Sequence, residues 1–254
     1  MGQLLRHPAI LFVVLLVVLA IAVAIGSLLL RRFRPIPADS RDDFNIIQGA
    51  TLTLLALLIG FTLSMAVGRY DQRKNLEEEE ANAIGTEYLR AQFLDAQAAE
   101  RARTLLASYL AQRIEYYQTR DDDALRQIAA ATARTQDEMW AVVRDAGLKT
   151  PTPITALTVS GMNDVINSQG YTEAAWLNRI PVAAWGLMVG IAFFSSLMQG
   201  YGARNARPQL GLLLILPLTV AVSLALIADI DSPRGGLIRV KPQNLLNLQG
   251  SLGR

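Results

Sequence analysis

Four long apolar segments without a single charged residue decide what this 254-residue chain can fold into. They cover residues 9–30, 46–67, 181–198 and 210–228. A helix needs about 20 apolar residues to cross the hydrocarbon core of a bilayer, and it satisfies its own backbone hydrogen bonds in lipid. The first segment is too long for the core of a signal peptide, and "RRFRP" follows it instead of a cleavage site. The sequence therefore predicts an integral membrane protein with four transmembrane helices, the first of them retained.

The polar segment between the second and third apolar segments predicts a helical domain outside the membrane. It is rich in alanine, glutamate, arginine, leucine and glutamine, and no strand-like alternation is present. The second membrane helix continues into this segment without a helix breaker, and three further helices are expected near residues 98–119, 121–147 and 154–170. We therefore predict an all-α fold in four parts: a helix pair in 1–67, the helical domain in 68–180, a second helix pair in 181–230 and a C-terminal tail in 231–254.

Charge and residue usage exclude several classes of function. Residues 69–179 carry 13 basic and 17 acidic side chains, which argues against nucleic acid as a partner, since phosphate contacts need a basic face. The chain has no cysteine, and His7 is its one histidine. It contains neither a nucleophile–histidine pair nor a glycine-rich phosphate loop. We predict that the protein is not an enzyme and has no resident metal or cofactor, and that its first partner is the lipid bilayer.

The second apolar segment combines a stripe of small side chains with three large ones. At helical spacing the small ones share one side: Gly49, Thr53, Ala56, Gly60 and Ser64. Such a stripe lines a water-filled path in some proteins, but close helix packing is the commoner use of small residues in membranes, and packing is favoured here. In a third interpretation Leu57, Phe61 and Met65, spaced four apart, form stacked hydrophobic rings in an oligomer that gate by dewetting. Gly186 and Gly190 in the third segment predict a second close helix contact.

Two acidic clusters raise the question of a cation site. The run Glu77–Glu80 points in four directions on a helix, so at most two carboxylates share a face, and a solvated face with ion pairs is the favoured interpretation. Asp229 and Asp231 follow the fourth apolar segment, but no third or fourth ligand accompanies them. We favour a structural latch at the end of the helix over a weak cation site, with three arginines as candidate partners: Arg69, Arg234 and Arg239.

Two motifs together resemble a known family. "GFTLSMAVGRYDQRKNLEEEEANAIGTEYLRA" and "DIDSPRGGLIRV" are similar to the bacterial bestrophin-like proteins, and the similarity extends over nearly the whole chain. The family's name implies kinship with bestrophins, which are pentameric channels with four membrane helices per subunit and a pore lined by the second helix. The resemblance thus implies a homo-oligomer, a pentamer if the kinship is close, and places Leu57, Phe61 and Met65 at the hydrophobic neck.

Function and orientation remain expectations at this point. The first hypothesis is an ion channel for small anions, with Thr53, Gly60 and Ser64 also along the pore. The alternative is a non-conducting scaffold, or a subunit of a larger complex, whose acidic helical domain docks a protein partner. Basic residues lie on both sides of the predicted membrane, so the positive-inside rule is divided. The resemblance favours an inner-membrane protein whose termini and helical domain are cytoplasmic.

Overall fold

A computed structural model describes residues 7–30, 33, 36–203 and 210–252 of the chain. The chain divides into two compact units. The first unit comprises Met1–Gly68 with Arg179–Arg239, and the second comprises Arg69–Asn178 with Val240–Arg254. The described residues form helices and turns and no strand. The predicted all-α class is confirmed.

Eight α-helices are present in the described part of the chain. They are α1 (Pro8–Ile25), α2 (Arg41–Arg90), α3 (Ala96–Gln118), α4 (Asp122–Lys149), α5 (Pro153–Leu177), α6 (Val182–Gly202), α7 (Leu210–Asp231) and α8 (Gln243–Leu252). A π-helical turn, Gly26–Leu30, continues α1, and short 3₁₀ turns precede and follow α2.

Four of the helical stretches are long and apolar enough to cross a membrane, as the hydropathy predicts. One of them is α2, which runs unbroken over 50 residues. At 1.5 Å per residue this helix is about 75 Å long, more than twice the roughly 30 Å of a hydrocarbon core. The prediction that the second membrane helix continues far beyond its apolar segment is confirmed. Its first part belongs to the first unit and its second part to the second unit.

Two glycines bring α1 and α6 into close contact in the first unit. A Cβ atom on Gly26 would overlap the carbonyl oxygen of Leu197 and lie 2.8 Å from the nitrogen of Tyr201. A Cβ atom on Gly200 would overlap the carbonyl oxygen of Val23. Backbone therefore meets backbone here, which only a missing side chain permits.

The close contact predicted from Gly186 and Gly190 is wrong within this chain. A Cβ atom on either residue would meet nothing within 4 Å. Both glycines lie on α6, the same helix as Gly200, but at positions that no other described part of the chain approaches. The four-residue spacing of small residues indicates a smooth helix surface, but it does not say which surface another helix covers.

The ends of the helices in the second unit follow from local chemistry. Asp121 accepts hydrogen bonds from the backbone N–H groups of Asp123 and Ala124, which caps α4. Thr152 and Thr155 form a reciprocal capping box at the start of α5, where Pro153 is the first helical residue. The core of this unit is built from apolar side chains of α2 to α5 and α8, among them Ile84, Tyr109, Met139, Met162 and Leu245.

Candidate functional site

The six candidate pore-lining side chains lie on one exposed face of α2, within the first unit. Exposed fractions are 53% for Leu57, 62% for Phe61 and 50% for Met65. Thr53, Gly60 and Ser64 are also exposed. We call these six residues the α2 face. The structure thus brings all six together on a surface that no other part of the described chain covers.

The opposite side of the same helix packs against the first unit. Leu55 is 2% exposed, Thr62 8% and Ala66 0%. These positions recur at steps of seven and four residues, so they share one side of the helix. The helix has one side that is buried within its own chain and one that is open.

Small residues on the open side do not serve packing within this chain. A Cβ atom on Gly49, Gly60 or Gly68 would meet nothing within 4 Å, so the favoured interpretation of close helix packing is wrong for the single chain. The hydroxyl of Thr53 donates to the carbonyl oxygen of Gly49 at 2.9 Å. This bond within the helix satisfies the hydroxyl donor without a partner from another helix.

The end of α7 is held by a carboxylate that accepts two backbone hydrogen bonds. Asp229 Oδ1 accepts from the N–H of Leu237 and Oδ2 from the N–H of Ile238, both at 2.8 Å. A Cβ atom on Gly236 would lie 2.5 Å from the carbonyl oxygen of Asp229. The glycine is therefore needed for close approach, since no glycine among the described residues has a positive φ. The chain turns directly over this carboxylate.

The second carboxylate of this cluster binds the backbone just before α6. Both oxygens of Asp231 accept from the N–H of Ile180, at 3.3 and 3.2 Å, and Arg179 Nε lies 3.8 Å from Oδ2. Of the three candidate arginines, Arg234 and Arg239 are partly buried within the first unit, and Arg69 belongs to the second unit. The backbone amides that bind these carboxylates could not be predicted from the sequence, because every residue except proline carries such a donor.

Among the described residues, no group of three or more histidine, cysteine, aspartate or glutamate side chains is arranged to hold a metal ion. The carboxylates of Asp229 and Asp231 are instead engaged by N–H donors. Every oxygen of these two carboxylates accepts a backbone hydrogen bond, which favours a structural role.

Replacing Asp229 with asparagine is expected to lower the free energy of unfolding by about 1–3 kcal/mol, because one of the two backbone N–H groups then faces an amide NH₂ and is left without an acceptor. The measurement is the thermal midpoint of the detergent-solubilised protein. Asp71→Asn, a change of the same kind at an exposed position, serves as the control. Equal midpoints for the two variants would contradict the latch.

In the second unit, two members of the acidic run are buried and paired. Glu80 is 0% exposed and forms an ion pair with Arg113, which is 1% exposed. The hydroxyls of Tyr117 and Thr172 donate to Glu80 Oε2 at 3.2 and 3.3 Å. The guanidinium of Arg113 also lies 4.4 Å from the ring centroid of Tyr116, a cation–π distance.

Glu77 binds the N-terminus of α8. Its Oε1 accepts from the N–H groups of Asn244 and Leu245 at 2.8 and 3.0 Å, and its Oε2 accepts from Asn244 Nδ2 at 2.6 Å. A carboxylate at this place satisfies free N–H groups and is favoured by the helix dipole. Arg73 binds a helix C-terminus in the corresponding way. It donates to the carbonyl oxygens of Ala175 and Asn178 at the end of α5, at 3.2 and 3.1 Å.

The interpretation of Glu77–Glu80 as a solvated face is therefore wrong for two of the four residues. Glu78 and Glu79 are exposed, whereas Glu77 and Glu80 are buried. The three-residue spacing of the buried pair, which places both carboxylates on one side of the helix, is the signal that could have found them.

Comparison with known proteins gives a consistent result. A family model described as a bestrophin-like domain matches residues 9–245. No curated protein sequence matches the chain at a significant level.

Solved structures provide a second comparison. The chain is similar to a bacterial bestrophin homologue from Klebsiella pneumoniae, with 14% identity, a TM-score of 0.65, and 94% of this chain and 97% of that chain covered. Two variants of that homologue are also similar to this chain, each at 14% identity. The first has a TM-score of 0.67, with 94% of this chain and 97% of that chain covered. The second has a TM-score of 0.68, with 97% of this chain and 99% of that chain covered. At this identity the likeness shows the fold, and the family match covers nearly the whole sequence. This four-span membrane protein belongs to the bestrophin-like family.

Proposed function

We propose that the protein assembles into a ring of identical subunits in which the α2 faces surround an ion pathway across the membrane. The observation that carries this proposal is the exposure of Leu57, Phe61 and Met65 beside glycines that touch nothing within the chain. A face of this kind, which mixes large apolar and small residues, is accounted for when copies of the helix meet around an axis. The bestrophin-like fold supports the same arrangement.

Within such a ring, each large side chain forms one apolar constriction. Leu57, Phe61 and Met65 follow each other at four-residue steps, which are about 6 Å along a helix. Constrictions of this kind control conduction by dewetting. Thr53 precedes the three constrictions, Gly60 and Ser64 lie beside the second and third, and the small size of all three residues widens the path.

The kinship with bestrophins supports small anions as the transported species and five copies as the size of the ring. The turn after α7 has a structural role in this proposal. Asp229 and Asp231 hold the end of that helix to backbone amides, with Arg234 and Arg239 in the same unit. This engagement supports a latch rather than a cation site.

Conductance measurements on purified protein in planar bilayers test the pathway. In symmetric chloride we expect channel currents from the wild type and a larger conductance from Phe61→Ala, because the change removes a ring that closes the path. Phe194→Ala is the matched control, since Phe194 is 60% exposed on another membrane helix. The absence of current in all three proteins would refute the proposal. A reversal potential measured in a chloride gradient reports the sign of the ion.

A second function, a non-conducting scaffold, is favoured by exposed apolar side chains in the second unit. Leu148, Tyr171 and Leu177 are 77%, 63% and 82% exposed, and burial of such side chains favours binding of a protein partner. Images of the detergent-solubilised particle separate the two functions. A closed ring with a central hole supports the channel, and a monomer or dimer with co-purifying proteins supports the scaffold.

We propose that the spans lie in the inner membrane of the cell and that both termini and the second unit lie in the cytoplasm. The chain has no cysteine, so a single introduced thiol reports its own location. Gly250→Cys, at an exposed position of α8, is expected to resist an impermeant maleimide in intact cells and to react after lysis. Labelling in intact cells would reverse the orientation.

A further inference from the structure

One buried carboxylate of the second unit has no hydrogen-bond partner among the described residues. Glu87 on α2 is 0% exposed, and neither of its oxygens accepts a hydrogen bond. Glu77 and Glu80, which are buried on the same helix, each accept several. A buried ionised group without partners is costly, so Glu87 is the exception that needs an explanation.

The backbone of α5 lies directly over this carboxylate. A Cβ atom on Gly161 would overlap Glu87 Oε2 and would lie 2.6 Å from Arg90 Nη1. Glycine at this position therefore lets α5 approach α2 closely enough to bury the acid. The hydroxyl of Thr158, one turn earlier on α5, donates to the carbonyl oxygen of Arg90 at 3.5 Å. The two helices are therefore in close contact from Glu87 to Arg90.

Three influences act on the proton of this acid. Burial is the largest and raises the pKa of Glu87 from its ordinary value of 4.5 to about 8. The charge of Arg90, on the same helix, lowers the pKa, and the charge of Asp164, on α5, raises it again. On α3, the guanidinium of Arg103 lies 5.3 Å from the ring centroid of Tyr88, a cation–π distance. Burial and the carboxylate of α5 together outweigh the one arginine.

We propose that Glu87 is a proton-binding site that controls the contact between α2 and α5. With the proton bound, the neutral acid is compatible with burial beneath Gly161. When the proton is lost, the negative charge is attracted by Arg90, repelled by Asp164 and favoured by water, so the carboxylate leaves its place and the contact loosens. The proposal concerns the second unit alone and does not depend on ion conduction.

The direction of the pH dependence follows from the two protonation equilibria. The unfolded chain loses the proton near pH 4.5 and the folded unit near pH 8. Between these values the folded state binds more protons than the unfolded state, so stability falls as pH rises. The contribution of Glu87 is complete below pH 4.5, is lost progressively up to about pH 8 and stays level above it.

Infrared spectroscopy of the full-length protein in detergent tests the site directly. The carbonyl band of a protonated carboxylic acid should be present at neutral pH, shift with isotope-labelled glutamate but not with labelled aspartate, and disappear with a midpoint near pH 8. Glu87→Gln should lack the band, and Glu79→Gln, at an exposed position of the same helix, should retain it. A wild-type protein without the band at neutral pH would overturn the proposal, even if the Glu87 variant failed to fold.

Thermal unfolding provides the second readout. Across the interval from about pH 5 to pH 8, the midpoint of Glu79→Gln should fall with that of the wild type, whereas the midpoint of Glu87→Gln should fall by several degrees less. Parallel curves for all three proteins would refute the role of Glu87 in the contact.

Discussion

Arg113→Met is expected to lower the free energy of unfolding by about 3–5 kcal/mol, because it leaves the carboxylate of Glu80 buried and without its counter-charge. Both side chains are almost fully buried, with exposed fractions of 1% and 0%. The hydroxyls of Tyr117 and Thr172 remain as donors, but two neutral donors do not replace a guanidinium. The loss corresponds to a thermal midpoint about 10 °C lower.

The fluorescence of Trp176 is a suitable readout. Its ring lies 5.4 Å from that of Tyr116 and 5.2 Å from that of Tyr117, measured between centroids, so it reports on the surroundings of the ion pair. Arg101→Met is the matched control, since it removes the exposed ion pair with Glu138, whose side chains are 62% and 53% exposed. That change should cost at most about 1 kcal/mol. Equal losses from the two substitutions would mean that the buried pair contributes no more than a surface pair.

Gly200→Ala is expected to cost about 3 kcal/mol or more and to reduce the yield of folded protein, because its methyl group would overlap backbone atoms of α1. Besides the carbonyl oxygen of Val23, the carbonyl carbon of that residue would lie 2.8 Å away. Neither helix can relieve the overlap by rotating a side chain, so the two helices must separate.

Gly190→Ala on the same helix is the control, because its methyl group would meet nothing within 4 Å. This change should be neutral, or slightly favourable through helix propensity. Size-exclusion profiles and thermal midpoints of the two variants in the same detergent provide the measurement. A Gly200 variant as stable as the Gly190 variant would show that α1 and α6 are not in backbone contact.

The membrane helices could be predicted from sequence because hydropathy acts locally. A run such as 210–228 is apolar whatever surrounds it, and α7 begins at Leu210 and ends at Asp231. The starts of helices in the second unit can be predicted for the same reason. Asp121 and Thr152 cap their helices by accepting hydrogen bonds from backbone N–H groups two or three residues further along the chain. Properties that depend on near neighbours in the chain can be inferred from one sequence.

The remaining features depend on which distant residue completes a contact. Glu80 pairs with a residue 33 positions away, and Glu77 binds amides 167 and 168 positions away. A run of four glutamates gives no sign of either partner. The glycines present the same difficulty, because Gly190 and Gly200 differ only in the surface that another helix covers. For the α2 face, the sequence indicates which residues are involved, and the structure shows that they are exposed. Their role in conduction is a proposal.

The attachment of α8 to Glu77 has a consequence for biosynthesis. The amides that satisfy this carboxylate are synthesised after every membrane-spanning segment, since Asn244 and Leu245 follow α7 in the chain. The second unit therefore cannot reach its final packing while translation is still inserting spans. Until those residues have been added, the helical bundle of the second unit is incomplete.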